Sequence, residues 1–416
     1  MITGLIILFI IGYLLIIFER NLNVDKAAFS LLTGVGCWVY YIYNSDNKEL
    51  VNEQLTHALG DISGILFFLL AAMTIVELID AHNGFDIITK AVTTTNRRKL
   101  LWIIAFITFF ASSVLDNLTT AIVMTALVQK IFTEKKDKWL MLGIVIIAAN
   151  AGGAWSPIGD VTTTMLWLDK KISATGIITS TLIPSLLCLC VPVAITSIFF
   201  KGTIEKNTTQ DELSYSLKER NLVFGIGVLS LLMVPVFKQL THLPPYMGIL
   251  AGLGVLWITT EFIHRKKTED LKGKFSVMHA IEKTDVKSIL FFLGILIAIK
   301  PLELTGVLSS LATNLNGVFN NNENAVVYSI GLISSIVDNV PLVAASISMY
   351  DYPMDSHFWQ FLAYAAGTGG SCLIIGSAAG VAVMGLDNIS FGWYLKRISI
   401  LALVGYTCGA VWFWLV

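Results

Sequence analysis

Apolar residues gather in this chain into long stretches separated by short polar segments. A stretch of about 17–25 apolar residues is the length that crosses a bilayer as a helix. Ten such stretches stand out, at roughly 2–18, 27–43, 62–81, 139–167, 174–200, 221–238, 246–263, 288–306, 358–385 and 397–416. Two more, 100–132 and 325–350, are long enough for two short helices each. Each is broken near its middle by an Asp-Asn pair, Asp116-Asn117 in one and Asp338-Asn339 in the other. The pattern predicts an all-α polytopic membrane protein of about ten transmembrane helices plus two re-entrant hairpins. Residues 2–18 have no preceding Lys or Arg and no small-residue cleavage pattern after them, so they read as a retained span and not as a signal peptide.

Loop charge orients these elements, because cytoplasmic loops are enriched in Lys and Arg. Positive clusters sit at Arg20/Lys26, Lys90 to Lys99, Lys130 to Lys138, Lys201 to Arg220, Arg265 to Lys287 and Lys396/Arg397. Segment 100–132 therefore has positive loops on both sides, as a hairpin entering from the cytoplasm and returning there would. Residues 307–324 and 351–357 contain no Lys or Arg, so 325–350 reads as a hairpin entering from outside. Lys170/Lys171 and Lys238 are the main exceptions. Both termini then lie outside.

An internal repeat fits the same picture. Ile65-Leu66-Phe67-Phe68 recurs as Ile289-Leu290-Phe291-Phe292, and Ser112 to Asn117 (SSVLDN) recurs as Ser334 to Asn339 (SSIVDN). Gly152-Gly153 with Gly159 recurs as Gly369-Gly370 with Gly376. The order of elements is shared and the second copy starts on the opposite side. This is an inverted-topology repeat with discontinuous helices, residues 1–205 against 206–416, with the site expected at the midplane between the halves.

Composition sharpens the class. The chain is 55% hydrophobic and 14% charged with a mean hydropathy of +0.73, whereas a soluble domain carries about 25% charged residues. A net charge of −1 and the lack of a basic tract give no sign of nucleic acid. The five cysteines are scattered through apolar stretches and read as small core residues.

A carboxylate in the hydrocarbon region is costly and faces a cavity or a partner. Asp116 lies among Ser112, Ser113, Asn117, Thr119 and Thr120, whose oxygens suit a small hard cation. Helix capping by Asp116 and Asn117 is the plainer role, compatible with ion binding. The run Asn150 to Thr164 carries three glycines and a proline, poor material for a continuous helix. It holds Asn150, Asp160, Thr162 and Thr163, and predicts a broken helix lining the site. Its counterpart from Gly367 to Ser377 has no carboxylate; Ser377 stands where Asp160 would be, and Ser371 and Ser377 offer hydroxyls. One dominant cation site in the first half, completed by Asp338-Asn339, follows. Burial and a neighbouring carboxylate raise a carboxyl pKa and a bound cation lowers it, so protons and the cation compete for the same oxygens. Glu77 and Asp80, three apart on one helix face, read as interfacial solvation or proton entry. Lys300 and Glu303 are spaced to pair. His57, placed in a loop or at a span end, is a candidate pH sensor.

The run NAGGAWSPIGDVTTTMLW at 150–167, with SSVLDNLTTA at 112–121, SSIVDNVPLV at 334–343 and LFFLLAAMTIVELIDAHNGF at 66–85, resembles the NhaD-type bacterial sodium/proton antiporters of the ion-transporter superfamily. The resemblance runs from about residue 55 to the C-terminus. It implies secondary active exchange of cytoplasmic Na⁺, with Li⁺, for external H⁺ across a bacterial inner membrane, without enzymatic chemistry or a cofactor, by a homodimer with one site per protomer. By motif position it implicates Asp116, Asn117, Asn150, Asp160, Thr162 and Thr163, and in the second half Ser335, Asp338, Asn339 and Ser371. A Na⁺-coupled symporter of dicarboxylates is the rival within the superfamily, although aspartates at both tips would repel a dianion. An intramembrane aspartyl protease fits poorly: its dyad is two carboxylates sharing one proton, and this chain carries three in a repeated frame.

Overall fold

The structure is a computed structural model and describes residues 2–17, 22, 24–86, 94–204, 216–265, 273, 275–336 and 339–416. Among these the regular structure is all helix, joined by turns and loops, apart from an isolated bridge between Asn96 and Thr203. The first half gives α1 (Ile2–Ile17), α2 (Lys26–Tyr43), α3 (Lys48–Ala81), α4 (Arg97–Leu115), α5 (Asn117–Ile131), α6 (Lys135–Gly153), α7 (Val161–Leu168) and α8 (Ala174–Phe199). The second gives α9 (Leu217–Thr241), α10 (Pro245–His264), α11 (Val277–Lys283), α12 (Val286–Leu304), α13 (Val307–Val318), α14 (Glu323–Ile333), α15 (Asn339–Met349), α16 (His357–Gly369), α17 (Ala378–Asp387), α18 (Phe391–Arg397) and α19 (Ser399–Leu415).

Short polar side chains start most of these helices. Asp25, Asn47, Asn96, Asp116, Ser173 and Ser377 each accept a hydrogen bond from a backbone N–H in the first turn of the helix that follows. That supplies a partner the helix itself lacks, worth about 1 kcal/mol each. Five described helices are long and apolar enough to cross a membrane singly, and two bent pairs, α12 with α13 and α18 with α19, pass that test together. The remaining shorter apolar helices include both halves of the second interrupted segment and one arm of the first. Of the ten spans expected from the sequence, 2–18 is a short helix, and 139–167 and 358–385 are each made of two pieces, of which Val161–Leu168 and Ala378–Asp387 are short. Hydrophobic side chains such as Leu32, Leu229, Ile258 and Phe262 point outward, as lipid-facing positions do.

One expectation is corrected. The third helix begins at Lys48 and not near residue 62, because Asn47 caps it and the polar segment before the apolar stretch continues the same helix. His57, expected in a loop or at a span end, therefore sits inside α3 with its side chain exposed.

Packing repeats itself between the halves. α1 lies on α2 as α9 lies on α10; α2 packs against α12 as α10 packs against α3. α4 and α5 both lie against α6, and α14 and α15 both lie against α16. α5 meets α17 and α15 meets α7, so the second arm of each interrupted segment touches the broken helix of the other half. α8 and α19 pack together.

Candidate cation site

The site forms where the breaks meet. At Asp116 the backbone takes φ 72° and ψ 160°, a region nearly reserved for glycine that costs of order 1–3 kcal/mol for other residues. Thr119 holds it there: its N–H donates to Asp116 Oδ1 at 2.8 Å and its hydroxyl to Oδ2 at 2.8 Å. Capping and a carboxylate placed at the break are the same geometry.

The broken helices reach this point because glycine lets them. A Cβ on Gly152 would run into the Phe109 carbonyl of α4, and one on Gly369 into the Gly331 carbonyl of α14. The hydroxyls of Ser112 and Ser334 make equivalent bonds across these two crossings, to the carbonyls of Ala149 and Ala366.

Asp160 stands at the N-cap of α7, just before its first residue, yet its side chain makes no capping bond. Its Oδ2 accepts instead from Thr162 Oγ1 at 2.7 Å and from Asn339 Nδ2 at 3.1 Å. Ser377, the matching residue of the second half, does cap its helix, accepting from the Gly380 N–H at 3.2 Å. The substitution of carboxylate for hydroxyl therefore changes what the position does: Asp160 reaches across to the other half of the chain. Asn150, fully buried, joins the halves a second time. Its Nδ2 donates to Ser371 Oγ at 2.9 Å and Ser377 Oγ at 2.8 Å, and its Oδ1 accepts from Asn117 Nδ2 at 3.2 Å.

Asp116, Asn117, Asp160, Thr164 and Asn339 line one cavity of about 60 Å³, walled by Phe68 and Phe292. That is room for a few water-sized species. Carboxylate, hydroxyl and amide oxygens in such a space can take a small hard cation or, on the carboxylates, protons.

Not every residue expected here arrives. Thr163 braces the turn, donating to the Asp160 main-chain carbonyl at 2.9 Å. Ser335 donates to the Leu332 carbonyl at the end of α14, and Ser371 reaches the site only through Asn150. Asp338 lies outside the described residues. Glu77 and Asp80 lie farther along α3, past Met73 at the cavity edge. Lys300 lines a different cavity and pairs with Glu303 at 3.0 Å. The sequence reading passed over Lys26, which lines the site cavity and also stacks on the Phe291 ring at 4.4 Å. Its place at the very start of an apolar stretch was the available signal. The last residues of the two Ile-Leu-Phe-Phe repeats, Phe68 and Phe292, form the aromatic wall, a role the repeat itself did not announce.

The chain matches the family described as citrate transporter over residues 13–355. It is 47% identical over 412 residues to sodium/proton antiporter 1 of Arabidopsis thaliana, covering 98% of this chain and 71% of that protein. It is 46% identical over 410 residues to sodium/proton antiporter 2 of the same plant, covering 97% of each. The Na⁺/H⁺ antiporter NhaD of Vibrio cholerae is 32% identical over 437 residues, covering 98% of this chain and 90% of that one. Among solved structures, the YdaH transporter of Alcanivorax borkumensis superposes with a TM-score of 0.59 at 13% identity, over 88% of this chain and 89% of that one. This last likeness is one of fold.

Proposed function

Since this chain belongs to the NhaD-type sodium/proton antiporters, we propose that it exchanges cytoplasmic Na⁺, and Li⁺ with it, for external H⁺ at the Asp116/Asp160 cavity. The observation that carries the site is the Asp160 carboxylate. It is turned from its own helix to the Thr162 hydroxyl and the Asn339 amide, and it shares a cavity with Asp116. Two carboxylates in a small, largely apolar space favour protonation when empty of cations and ionisation when a cation sits between them. Exchange follows if the cavity opens alternately to the two faces, loaded with Na⁺ on one and with protons on the other.

Asp116 and Asp160 take the ion and the protons; Asn117, Thr162 and Asn339 complete the oxygen set and hold its geometry. Asn150, Thr163, Ser335 and Ser371 position these groups, and Asp338 is a further protonation site. Residues 1–205 and 206–416 act as inverted repeats, their interrupted segments re-entering from opposite faces, with both termini outside. The membrane is the bacterial inner membrane and the working unit a homodimer.

The description of the matched family favours a second reading, Na⁺-coupled uptake of a carboxylate anion. Two aspartates on one cavity oppose a polycarboxylate there. Inverted vesicles with an imposed pH gradient separate the two. Added Na⁺ dissipates the gradient if the chain is an antiporter, and Asp160→Asn abolishes the effect. Na⁺-driven anion uptake without proton movement identifies the symporter.

A further inference from the structure

A second cavity, of about 500 Å³, shares four helices, α3, α7, α12 and α15, with the candidate site. On α12 the site cavity touches Ser288 and Phe292, and the second cavity touches Leu296 and Lys300. On α7 the site takes Thr164 and the second cavity Met165. On α15 the division falls between Val340 and Ala344, and on α3 between Phe68 and Ile65. The two spaces thus come within about one helical turn, roughly 5 Å, of each other on every helix. Their outer ends on α12, Ser288 and Lys300, are about 18 Å apart at the helical rise.

A single apolar layer fills the gap. Leu69, Met165, Phe292, Leu296, Val340 and Ala344 are all buried and belong to one contiguous hydrophobic cluster. None of these six side chains offers a polar atom to an ion. The second cavity reaches the surface at the exposed Asp169, Lys170 and His242, and three lysines, Lys170, Lys238 and Lys300, stand on its wall. Lys238 is drawn over the Trp167 ring at 4.5 Å. Lys300 is paired with Glu303 and Asp169 shares the wall, so Lys170 and Lys238 carry its excess positive charge, which lowers the local concentration of cations and slows their entry from that side.

We propose that this second cavity is the far mouth of the ion path, and that the apolar layer around Met165, Leu296 and Ala344 is the gate between it and the Asp116/Asp160 cavity. The inference rests on the exchange reading above and adds where the ion leaves and what holds the path shut. The six side chains of the layer are buried and packed together here, so this structure has the path closed on the side of the second cavity. Small relative movement of α7 and α15 against α3 and α12 would part the layer, since nothing but apolar contact crosses it among these six side chains.

The test uses the full-length chain with its native cysteines replaced, in sealed membranes, and a membrane-impermeant thiol reagent. Single cysteines are placed by Ile347→Cys on the second cavity, and by Ala344→Cys and, separately, Leu296→Cys in the layer. Ile347→Cys should react from one face whether or not ions are supplied. Ala344→Cys and Leu296→Cys should react slowly at rest and about tenfold faster from that same face when Na⁺ and a pH gradient drive turnover, as the open population grows. If both layer positions react at rest as fast as Ile347→Cys, there is no gate. If neither ever reacts in a chain that exchanges ions, the path runs elsewhere. A chain that shows no Na⁺/H⁺ exchange overturns the functional reading instead. The gate is then judged from the same two rates under a pH gradient alone, and unchanged rates overturn it too.

Discussion

Asn339 Nδ2 stands 3.1 Å from Asp160 Oδ2, so an amide from the second half of the chain holds the carboxylate of the first. Hydrogen bonds to a charged group contribute about 1.5–3 kcal/mol, and this one favours the ionised form of Asp160. Its loss should let protons hold the site to higher pH. Asn339→Ala is expected to raise the apparent KM for Na⁺ about tenfold or more at a fixed near-neutral pH, with a smaller penalty at alkaline pH. Initial rates of Na⁺-driven pH-gradient collapse between neutral and alkaline pH read this out. An unchanged pH profile would mean that the bond does not tune the site.

Asp116 separates strain from chemistry. Asparagine caps a helix as well as aspartate and accepts positive φ more readily than most residues. Asp116→Asn should therefore fold as the wild type does and lose exchange. Asp116→Gly relieves a backbone strain of about 1–3 kcal/mol while giving up a cap that glycine replaces at little cost. It should melt above the wild type in detergent and be equally inactive. Wild-type exchange by either variant would remove Asp116 from the ion path.

Gly152 and Gly369 make the same crossing in the two halves, each against a carbonyl of the neighbouring helix. Backbone has no flexible end to move aside, so Gly152→Ala and Gly369→Ala should each sharply lower the yield of folded protein. Gly254, with nothing close to where its Cβ would stand, serves as the control; Gly254→Ala should leave yield and exchange unchanged. Size-exclusion profiles of the three variants decide it.

Much of this was legible in the residues because lipid allows little choice. An interrupted apolar segment can only be read as a broken helix lining a protein-walled space, and α6 with α7 and α16 with α17 break at the glycine-rich runs where the sequence broke them. The repeat was readable for the same reason: Gly152 and Gly369, Ser112 and Ser334 recur because the same crossings recur. Asp160 against Ser377 was visible as an asymmetry. What that asymmetry does was not, since both residue types cap helices and only the fold shows that Ser377 caps while Asp160 turns to Asn339. Asn150 as the joint between Asn117, Ser371 and Ser377 was equally hidden, since its contacts to Ser371 and Ser377 span more than two hundred residues. Lys26 was counted as loop charge because it stands where a polar segment gives way to the apolar stretch of α2, while its neighbours in space are Phe291 and the site cavity.

The central claim is that Na⁺ and protons compete for the Asp116 and Asp160 carboxylates. The most direct measurement is the apparent KM for Na⁺ as a function of pH, with proton movement followed in the same proteoliposomes. The account predicts that KM rises steeply as pH falls, approaching about tenfold per pH unit for each proton displaced below the carboxylate pKa. The maximal rate should change far less, and protons should move opposite to Na⁺. A KM that does not depend on pH, or Na⁺ uptake with no counter-movement of protons, would contradict it.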